Sequence, residues 1–350
     1  MSEALLRERV CETAGRGEKL RIRGGGTKDF YGREPSGEIL DVSGHTGIVS
    51  YEPTELVITA RAGTPLQEVV DTLAAAGQML PFDPPRFAPG GSIGGAVASG
   101  LAGPRRPWGG APRDLLLGVK LLDGKGQILN FGGQVMKNVA GYDVSRLMAG
   151  SMGTLGVLLE VSVKVLPRPK EEHTLVRESS AAEAIDLFAK LQQRPLPLTG
   201  AAHRDGSLYL RMAAGKASVE RLAGEIGAET GAGGDFWNRL RDHQSTFFQG
   251  PRPLWRLSVP PAWKADTDLG ETFIDWGGAQ RWIKTDAPAL TLRTAAEAAG
   301  GHATAFRNGD RSGEIFHPLS APVRALQDRL TRVFDPTGLF DRGRLYPRTL

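Results

Sequence analysis

Arg21-Ile22-Arg23-Gly24-Gly25-Gly26-Thr27-Lys28-Asp29 is the stretch on which the reading of this chain turns. An apolar strand end runs into three glycines, then a hydroxyl and a cation. Glycine lacks a Cβ, so consecutive backbone N–H groups can converge on one anion. Arg23, Thr27 and Lys28 add side-chain donors and charge. Taken alone, the stretch also reads as a tight turn. A second stretch is Pro89-Gly90-Gly91-Ser92-Ile93-Gly94-Gly95-Ala96-Val97-Ala98-Ser99-Gly100. Its small residues permit close approach to a flat or extended ligand, or close packing of a helix. Its glycines look superficially like a dinucleotide fingerprint. No βαβ unit with a ribose-binding acid about 20 residues downstream follows, so a Rossmann reading fails. A third stretch runs from Asn138-Val139-Ala140-Gly141-Tyr142-Asp143 to Gly150-Ser151-Met152-Gly153-Thr154-Leu155-Gly156-Val157. Ser151 and Thr154 offer hydroxyls there, and Gly150, Gly153 and Gly156 offer open backbone. By itself it too reads as a simple loop.

The bulk numbers agree with a loop-built site. Glycine is 46 of 350 residues, well above the usual roughly 7%, and it clusters in loops without a period. The length suits two domains with cores of their own. A net charge of +4 is compatible with an anionic ligand, and no Lys/Arg run suggests nucleic acid. The one cysteine, Cys11, can form neither an internal disulfide nor an iron–sulfur cluster. The N-terminus MSEALLRERV carries charge where a signal peptide needs an apolar core. No apolar stretch approaches the ~18 residues of a membrane helix. The expectation is a cytoplasmic chain, without direct membrane insertion and at most membrane-associated through a partner.

Residue patterning predicts a strand over 56–61, then a helix capped by Thr64 with Gln67 completing a capping box and Gly77 ending it. A strand over 115–122 ends in Asp123-Gly124 and pairs with 127–131. From 157 to 166 the residues alternate, which places Val157, Leu159, Val161, Val163 and Val165 on one face. Pro167-Arg168-Pro169-Lys170 breaks the pattern and marks a boundary. Beyond it, strands over 173–177, 198–203, 207–212, 255–259, 272–276, 280–285 and 302–307 alternate with helices over 181–192, 218–226 and 287–299. That order predicts an antiparallel sheet with helices on one face. A last helix over 321–334 has Ser320 as its N-cap, and Val323, Leu326, Leu330 and Val333 line one side.

Three such glycine loops, in this order and at these separations, resemble the vanillyl-alcohol-oxidase-type, or PCMH-type, FAD-binding family. The resemblance covers roughly residues 4 to 168. Trp108-Gly109-Gly110-Ala111-Pro112-Arg113-Asp114 looks like that family's short segment before a strand, and Phe334-Asp335-Pro336-Thr337-Gly338-Leu339-Phe340-Asp341 looks like the end of FAD-linked oxidases. The implied fold class is α+β: a PCMH-type FAD-binding domain over 1–168, an antiparallel α+β cap over 169–310, and a C-terminal helix and tail over 311–350 that return to the FAD domain. The implied cofactor-binding residues are Arg23, Gly24, Gly25, Gly26, Thr27, Lys28, Pro89, Gly90, Gly91, Ser92, Gly94, Gly95, Arg113, Asp114, Gly150, Ser151, Gly153, Thr154 and Val157. The first two loops would embrace the pyrophosphate. The third would lie along the ribityl, adenine and ring side. Within the family, RGGGTKDFYG (Arg23–Gly32), LPFDPPRF (Leu80–Phe87), LWRLSVP (Leu254–Pro260) and WGGAQRW (Trp276–Trp282) resemble the FAD-binding subunits of glycolate oxidases. That likeness spans the whole chain. It implies a larger FAD-linked oxidase subunit and an iron–sulfur subunit as partners.

The same resemblance bears on chemistry. Covalent relatives tether flavin through a His in or near the first glycine loop; Thr27 stands at that place and Cys11 is far upstream, so the FAD is expected to be non-covalent. Related 2-hydroxy-acid dehydrogenases carry a His-Asp-Gly-Asn metal or base motif in the cap; this chain has none, and no metal is expected. A small 2-hydroxy acid needs a cation for its carboxylate and a base near its hydroxyl. Arg256 is the candidate for the carboxylate, His302 for the base, and Arg344 for a tail residue returning to the flavin. Each also has an ordinary reading, as a salt bridge, a structural histidine and an exposed tail arginine. The implied reaction is oxidation of glycolate to glyoxylate. The missing motif and the short length favour the larger partner as the catalytic site, with this chain a second flavin site or a structural support. Two alternatives stand beside the glycolate oxidase subunit: a self-sufficient oxidoreductase for another 2-hydroxy acid or alcohol, and a non-catalytic FAD-binding assembly subunit.

Overall fold

A computed structural model describes residues 1–133, 143–231 and 233–347. The first half is organised on a five-stranded antiparallel sheet. Its order is Ile48–Glu52, Val57–Arg61, Val157–Lys164, Leu116–Leu122, Ile128–Gly132. The central strand Val157–Lys164 is buried on both faces. On one side Leu158, Val161, Val163 and Val165 pack with the helices Leu66–Ala75 and Ile93–Ser99 through Leu66, Val69, Leu73, Ile93 and Val97. On the other, Val157 and Leu159 meet Leu6 and Val10 of the N-terminal helix Glu3–Gly15, together with Phe340 from the chain's end.

Two local expectations are corrected here. The alternating residues 157 to 165 do not share one face. Lys120 stands opposite Glu160 while its neighbour Leu121 stands opposite Leu158. Leu159 is therefore the extra residue of a β-bulge, and the side chains beyond it swap faces. The helix at Leu66 has Pro65, not Thr64, at its N-cap and no side-chain cap. The Thr64 hydroxyl accepts from Gly47 N at 2.9 Å instead, and Gln67 donates to Asp71 at 2.7 Å. A tertiary partner outcompetes the local cap.

The second half is an eight-stranded antiparallel sheet. Its order is Glu229–Gly231, His173–Glu178, Ser207–Met212, Leu198–Arg204, Glu271–Asp275, Gln280–Lys284, Leu254–Ser258, His302–Arg307. The helices Ala181–Gln192, Lys216–Ile226 and Ala289–Ala298 cover one face, as the patterning predicts. The opposite face, carrying Ala202, Phe273, Trp282 and Phe306, packs on the short helix Gly234–Arg241 and on Tyr31 and Leu101 of the first half. That short helix is not among the predicted elements.

The terminal helix Ala321–Phe334 forms over the predicted residues, with Ser320 at its N-cap but no cap bond from its hydroxyl. Its predicted apolar side does not face the core: Val323, Leu326 and Val333 are exposed, and only Thr331 and Phe334 are buried. Phe334 meets Phe131 edge-on, with ring centroids 6.1 Å apart. The next residue, Asp335, is wholly buried. Its carboxylate accepts from Leu339 N at 2.9 Å, Phe340 N at 3.1 Å and Arg342 Nε at 3.4 Å. These bonds turn the chain back so that Leu339 O accepts from Leu20 N at 2.8 Å, where the strand Leu20–Arg23 begins. The tail thus props the strand that leads into the first glycine loop. Removing a buried, fully bonded carboxylate orphans its donors, so Asp335→Ala should cost about 3 kcal/mol in urea denaturation. Asp335→Asn, which keeps one acceptor oxygen, should lose less.

Candidate functional site

The strand Leu20–Arg23 pairs in parallel with Glu38–Asp41 and ends at Arg23, whose carbonyl accepts from Val42 N at 2.9 Å. Beyond it the chain leaves regular structure. The amides of Gly24, Gly25, Gly26, Thr27 and Lys28 donate to no acceptor among the described residues. Five successive free donors are what an anion cradle needs. They line a cleft of about 820 Å³, counted with its mouth open to solvent. The facing wall is the start of the helix Ile93–Ser99, with Ser92 buried and its Oγ accepting from Gly95 N at 3.1 Å. Ser151, Met152 and Gly153 close a third side.

The glycines are required by contact and not merely by flexibility. A Cβ on Gly25 would lie 1.6 Å from the Gly90 carbonyl oxygen, so the first two loops touch backbone to backbone. A Cβ on Gly94 would lie 2.5 Å from Ala62 Cβ, so the helix sits against the strand end with no room to spare. At Gly153 the backbone has φ +76°, with Ile22 close by. A cradle that side chains would fill, with free amides turned into it, suits a phosphate-bearing cofactor.

The predicted cofactor residues divide into three groups. Arg23, Gly24, Gly25, Gly26, Thr27, Lys28, Ser92, Gly94, Gly95, Ser151 and Gly153 line the cleft. Pro89, Gly90 and Gly91 stand behind it; Gly90 touches Gly25, and a Cβ on Gly91 would lie 3.3 Å from Thr27 Oγ1. The rest are elsewhere. Gly150 supports the wall by donating to Val97 O at 3.1 Å. Thr154 bonds Ser151 O at 2.7 Å and borders a different cleft, beside Arg324 and Thr331. Val157 lies in the apolar cluster with Leu6 and Phe340. Arg113 and Asp114 are exposed, Asp114 pairing with Arg146 at 3.8 Å. Asn138 to Tyr142 lie outside the described residues. Sequence reading missed Val42, Ala62 and Leu158, which also line the cleft. They come from strand ends that carry no local signature.

Arg344 reaches the cleft, as its position in the tail suggests. Its guanidinium is largely committed: it donates to the carbonyls of Arg33 at 2.6 Å, Asp29 at 3.0 Å and Lys28 at 3.3 Å. Burial lowers it to about 10, so it remains a cation at neutral pH. Arg311 makes the same kind of clamp on Gly32 O at 2.9 Å and Asp29 O at 2.7 Å.

Arg256 and His302 are brought to the same face of the cap sheet, away from the cleft lining. Arg256 donates to Tyr31 Oη at 3.2 Å and lies 5.9 Å from the Phe306 ring. Neither Arg256 nor Arg106 has a carboxylate within ion-pair distance among the described residues. Burial first, then the charge of Arg256, lowers Arg106, which stacks over Trp276 at 4.5 Å. His302 stands exposed at the start of its strand; partial burial of its ring and the charges of Arg256, His317 and Arg106 lower it. A buried histidine that the sequence does not single out, His243, stacks on Phe248 at 3.9 Å and leaves Nδ1 without a partner. Burial and the charges of Arg307 and Arg256 hold it well below its ordinary value, so it is neutral. Phe30, Tyr31, Phe87, Trp282 and Phe306 fill the space around it.

Lys28 joins the two regions. It lines the cleft, and its Nζ lies 5.8 Å from the Phe87 ring. Burial lowers it to about 8, against the opposing pull of Asp242. The folded chain therefore releases this proton before the unfolded chain does. Its contribution to stability should rise as pH climbs from about 8 towards 10.5. Lys28→Met should abolish that rise, measured by denaturation on both sides of the window. Gly25→Ala, which must push the two loops apart, should lower the flavin absorbance retained on purification by roughly tenfold or more.

Comparison with known proteins bears directly on this cleft. Residues 2–132 match the FAD binding domain family. Over 345 residues the chain is 48% identical to glycolate oxidase subunit GlcE of Escherichia coli (strain K12), covering 99% of this chain and 97% of that protein. Two more distant relatives match less than half of this chain. Glycolate oxidase subunit GlcD of Bacillus subtilis (strain 168) is 32% identical over 44% of this chain and 33% of its own length. A D-lactate dehydrogenase of Anaerostipes hadrus is 30% identical over 40% and 29%. With 48% identity over nearly the whole of both chains, the chain belongs to the FAD-binding flavoprotein family of the glycolate oxidase subunit GlcE.

Proposed function

We propose that this chain is the FAD-binding subunit of a multi-subunit glycolate oxidase that converts glycolate to glyoxylate. The observation that carries the reading is the likeness to the E. coli subunit along nearly the whole of both chains, cap included. FAD supplies the acceptor for a hydride from the substrate's α-carbon. The chain's own residues would hold it: the amides of residues 24 to 28 would meet its phosphates, Lys28 and Arg23 would balance their charge, and the small residues Ala62, Gly94 and Ala98 would leave it room. Thr27 in the loop, and Cys11 on the distant helix Glu3–Gly15, fit non-covalent binding. The functional division is a cofactor part over 1–168, a cap over 169–310 and a tail over 311–350.

Arg256 and Arg106 favour a carboxylate near the cap, because unneutralised cations in a confined place attract an anion. His302, lowered below its ordinary value, is suited to accept a proton. A second reading has its own support. The gap beside His243, Arg256 and Phe306 is far smaller than a hydroxy acid, since aromatic rings fill it. On that reading this FAD relays electrons, or stabilises the assembly, while a larger FAD-linked oxidase subunit oxidises the substrate. Either way the single cysteine cannot hold a cluster, so onward electrons pass to an iron–sulfur subunit or another acceptor. No helix among the described residues is long and apolar enough to cross a membrane, so any membrane association would run through partners.

Anaerobic addition of glycolate to the purified flavin-loaded chain separates the readings. Bleaching of the oxidised flavin band by the chain alone means that it holds a complete hydride-transfer site, and Arg256→Met should then raise KM for glycolate by roughly tenfold or more. A flavin that stays oxidised alone but bleaches after the larger subunit is added supports the relay. A flavin that bleaches in neither case overturns the glycolate oxidase reading.

A further inference from the structure

The cleft of the first half is lined by three cationic side chains, Arg23, Lys28 and Arg344. Two of them are committed. Arg23 Nε pairs with Asp29 Oδ2 at 2.9 Å, and Arg344 spends its guanidinium on the carbonyls of Lys28, Asp29 and Arg33. The Lys28 ammonium makes neither a hydrogen bond nor an ion pair among the described residues, and it lies 5.8 Å from the Phe87 ring. A charge drawn out of water without a partner is costly, and an anion entering the cleft relieves that cost.

The surrounding charges leave the amine in that state. Its own loop offers the Arg23–Asp29 pair, which is neutral overall, and the tail offers Arg344, a like charge. In the segment leading to Phe87, Asp83 is held by Arg211 and Arg241 at 3.6 and 3.7 Å, and the Arg86 guanidinium turns to Gln67. From the cap, His243 and Arg307 lie against the same Phe87 ring, at 4.9 and 5.4 Å; His243 is neutral and Arg307 is a further cation. Asp242 pulls a proton toward Lys28, but burial outweighs it and lowers the amine to about 8. Asp242 acts at a distance, because its carboxylate is taken up by Arg241 Nε at 2.9 Å and Arg86 N at 3.0 Å. A phosphate in the cleft supplies the negative charge that these surroundings lack, and so favours the protonated amine.

We propose that cofactor binding draws a proton onto Lys28, so that its ammonium becomes the counter-charge of the FAD phosphates, and that Asp242 is a positioning residue through which the cap favours that charge. The inference rests on the reading of this cleft as the FAD site. The proton comes from solvent and sits on Nζ; no bond of the cofactor changes. The affinity then carries a pH dependence of fixed sign. At lower pH the amine already holds its proton and the affinity is level. As pH rises through about 8, the unliganded chain gives the proton up while the loaded chain keeps it, and the affinity falls.

The test uses the full-length flavin-loaded chain, diluted in steps and ultrafiltered, with bound and released flavin counted by absorbance. Kd should rise roughly tenfold between about pH 7 and about pH 9. Lys28→Arg, whose cation does not titrate there, should hold Kd level across the same range. Lys28→Met should also be level, but roughly tenfold or more weaker at about pH 7. Asp242→Asn should move the rise to lower pH, whereas a merely structural role would weaken binding equally at every pH. A Kd that stays level in the wild-type chain, or that rises in parallel in the wild type and Lys28→Arg, overturns the inference and leaves the cofactor reading standing. A rise that does not move in Asp242→Asn overturns the part given to the cap. A chain that retains no flavin at any pH overturns the cofactor reading itself.

Discussion

The contact between Gly25 and Gly90 is the constraint on which the cleft of the first half depends. A side chain at residue 25 would overlap the Gly90 carbonyl, so the two loops meet only because Gly25 lacks one. That approach keeps the amides of residues 24 to 28 turned into the cleft instead of into a local turn. Free donors are costly unless water or an anion meets them. The loop is thus shaped for a ligand more than for its own stability.

Something must then hold such a loop in place, and distant parts of the chain do so. Arg344 and Arg311 donate to the carbonyls of residues 28 to 33 from the C-terminal tail and the segment after the cap sheet. Their charge strengthens each bond relative to a neutral donor. Asp335 anchors the tail so that Leu339 and Phe340 support the strand before the loop. The cleft is therefore braced by residues more than 300 positions apart in sequence, Arg344 bonding the carbonyl of Arg33. Truncating the end would loosen the beginning.

The cap contributes a different kind of order. Its inner face is a cluster of rings, His243, Phe248, Trp282 and Phe306, in edge or stacked contact, and Phe87 of the first half packs against His243. Into that apolar setting it places Arg256 and Arg307, which lie against rings and not against carboxylates. Cations so placed keep their charge while losing water, which makes them responsive to an arriving anion.

Much of this was legible from residues alone. Periodicity located the strands 207–212 and 302–307 and the helices 181–192 and 321–334 because each pattern is local and unopposed. The glycine stretches marked the cleft because the absence of a Cβ is visible in any sequence. Other features had no local cause. The bulge at Leu159 arises from pairing with Leu116–Leu122, and it reversed the face of every residue after it. Thr64 left its expected cap because Gly47 lay nearer. Val42, Ala62 and Leu158 entered the cleft only because sheet and helix packing carried them there. The terminal helix is the clearest case. Sequence by itself determined that Val323, Leu326, Leu330 and Val333 share a side, since that follows from 3.6 residues per turn. Only the tertiary structure decided that this side faces water, because the body offers that helix polar partners and the anchors Phe334 and Asp335, and no apolar surface for the stripe.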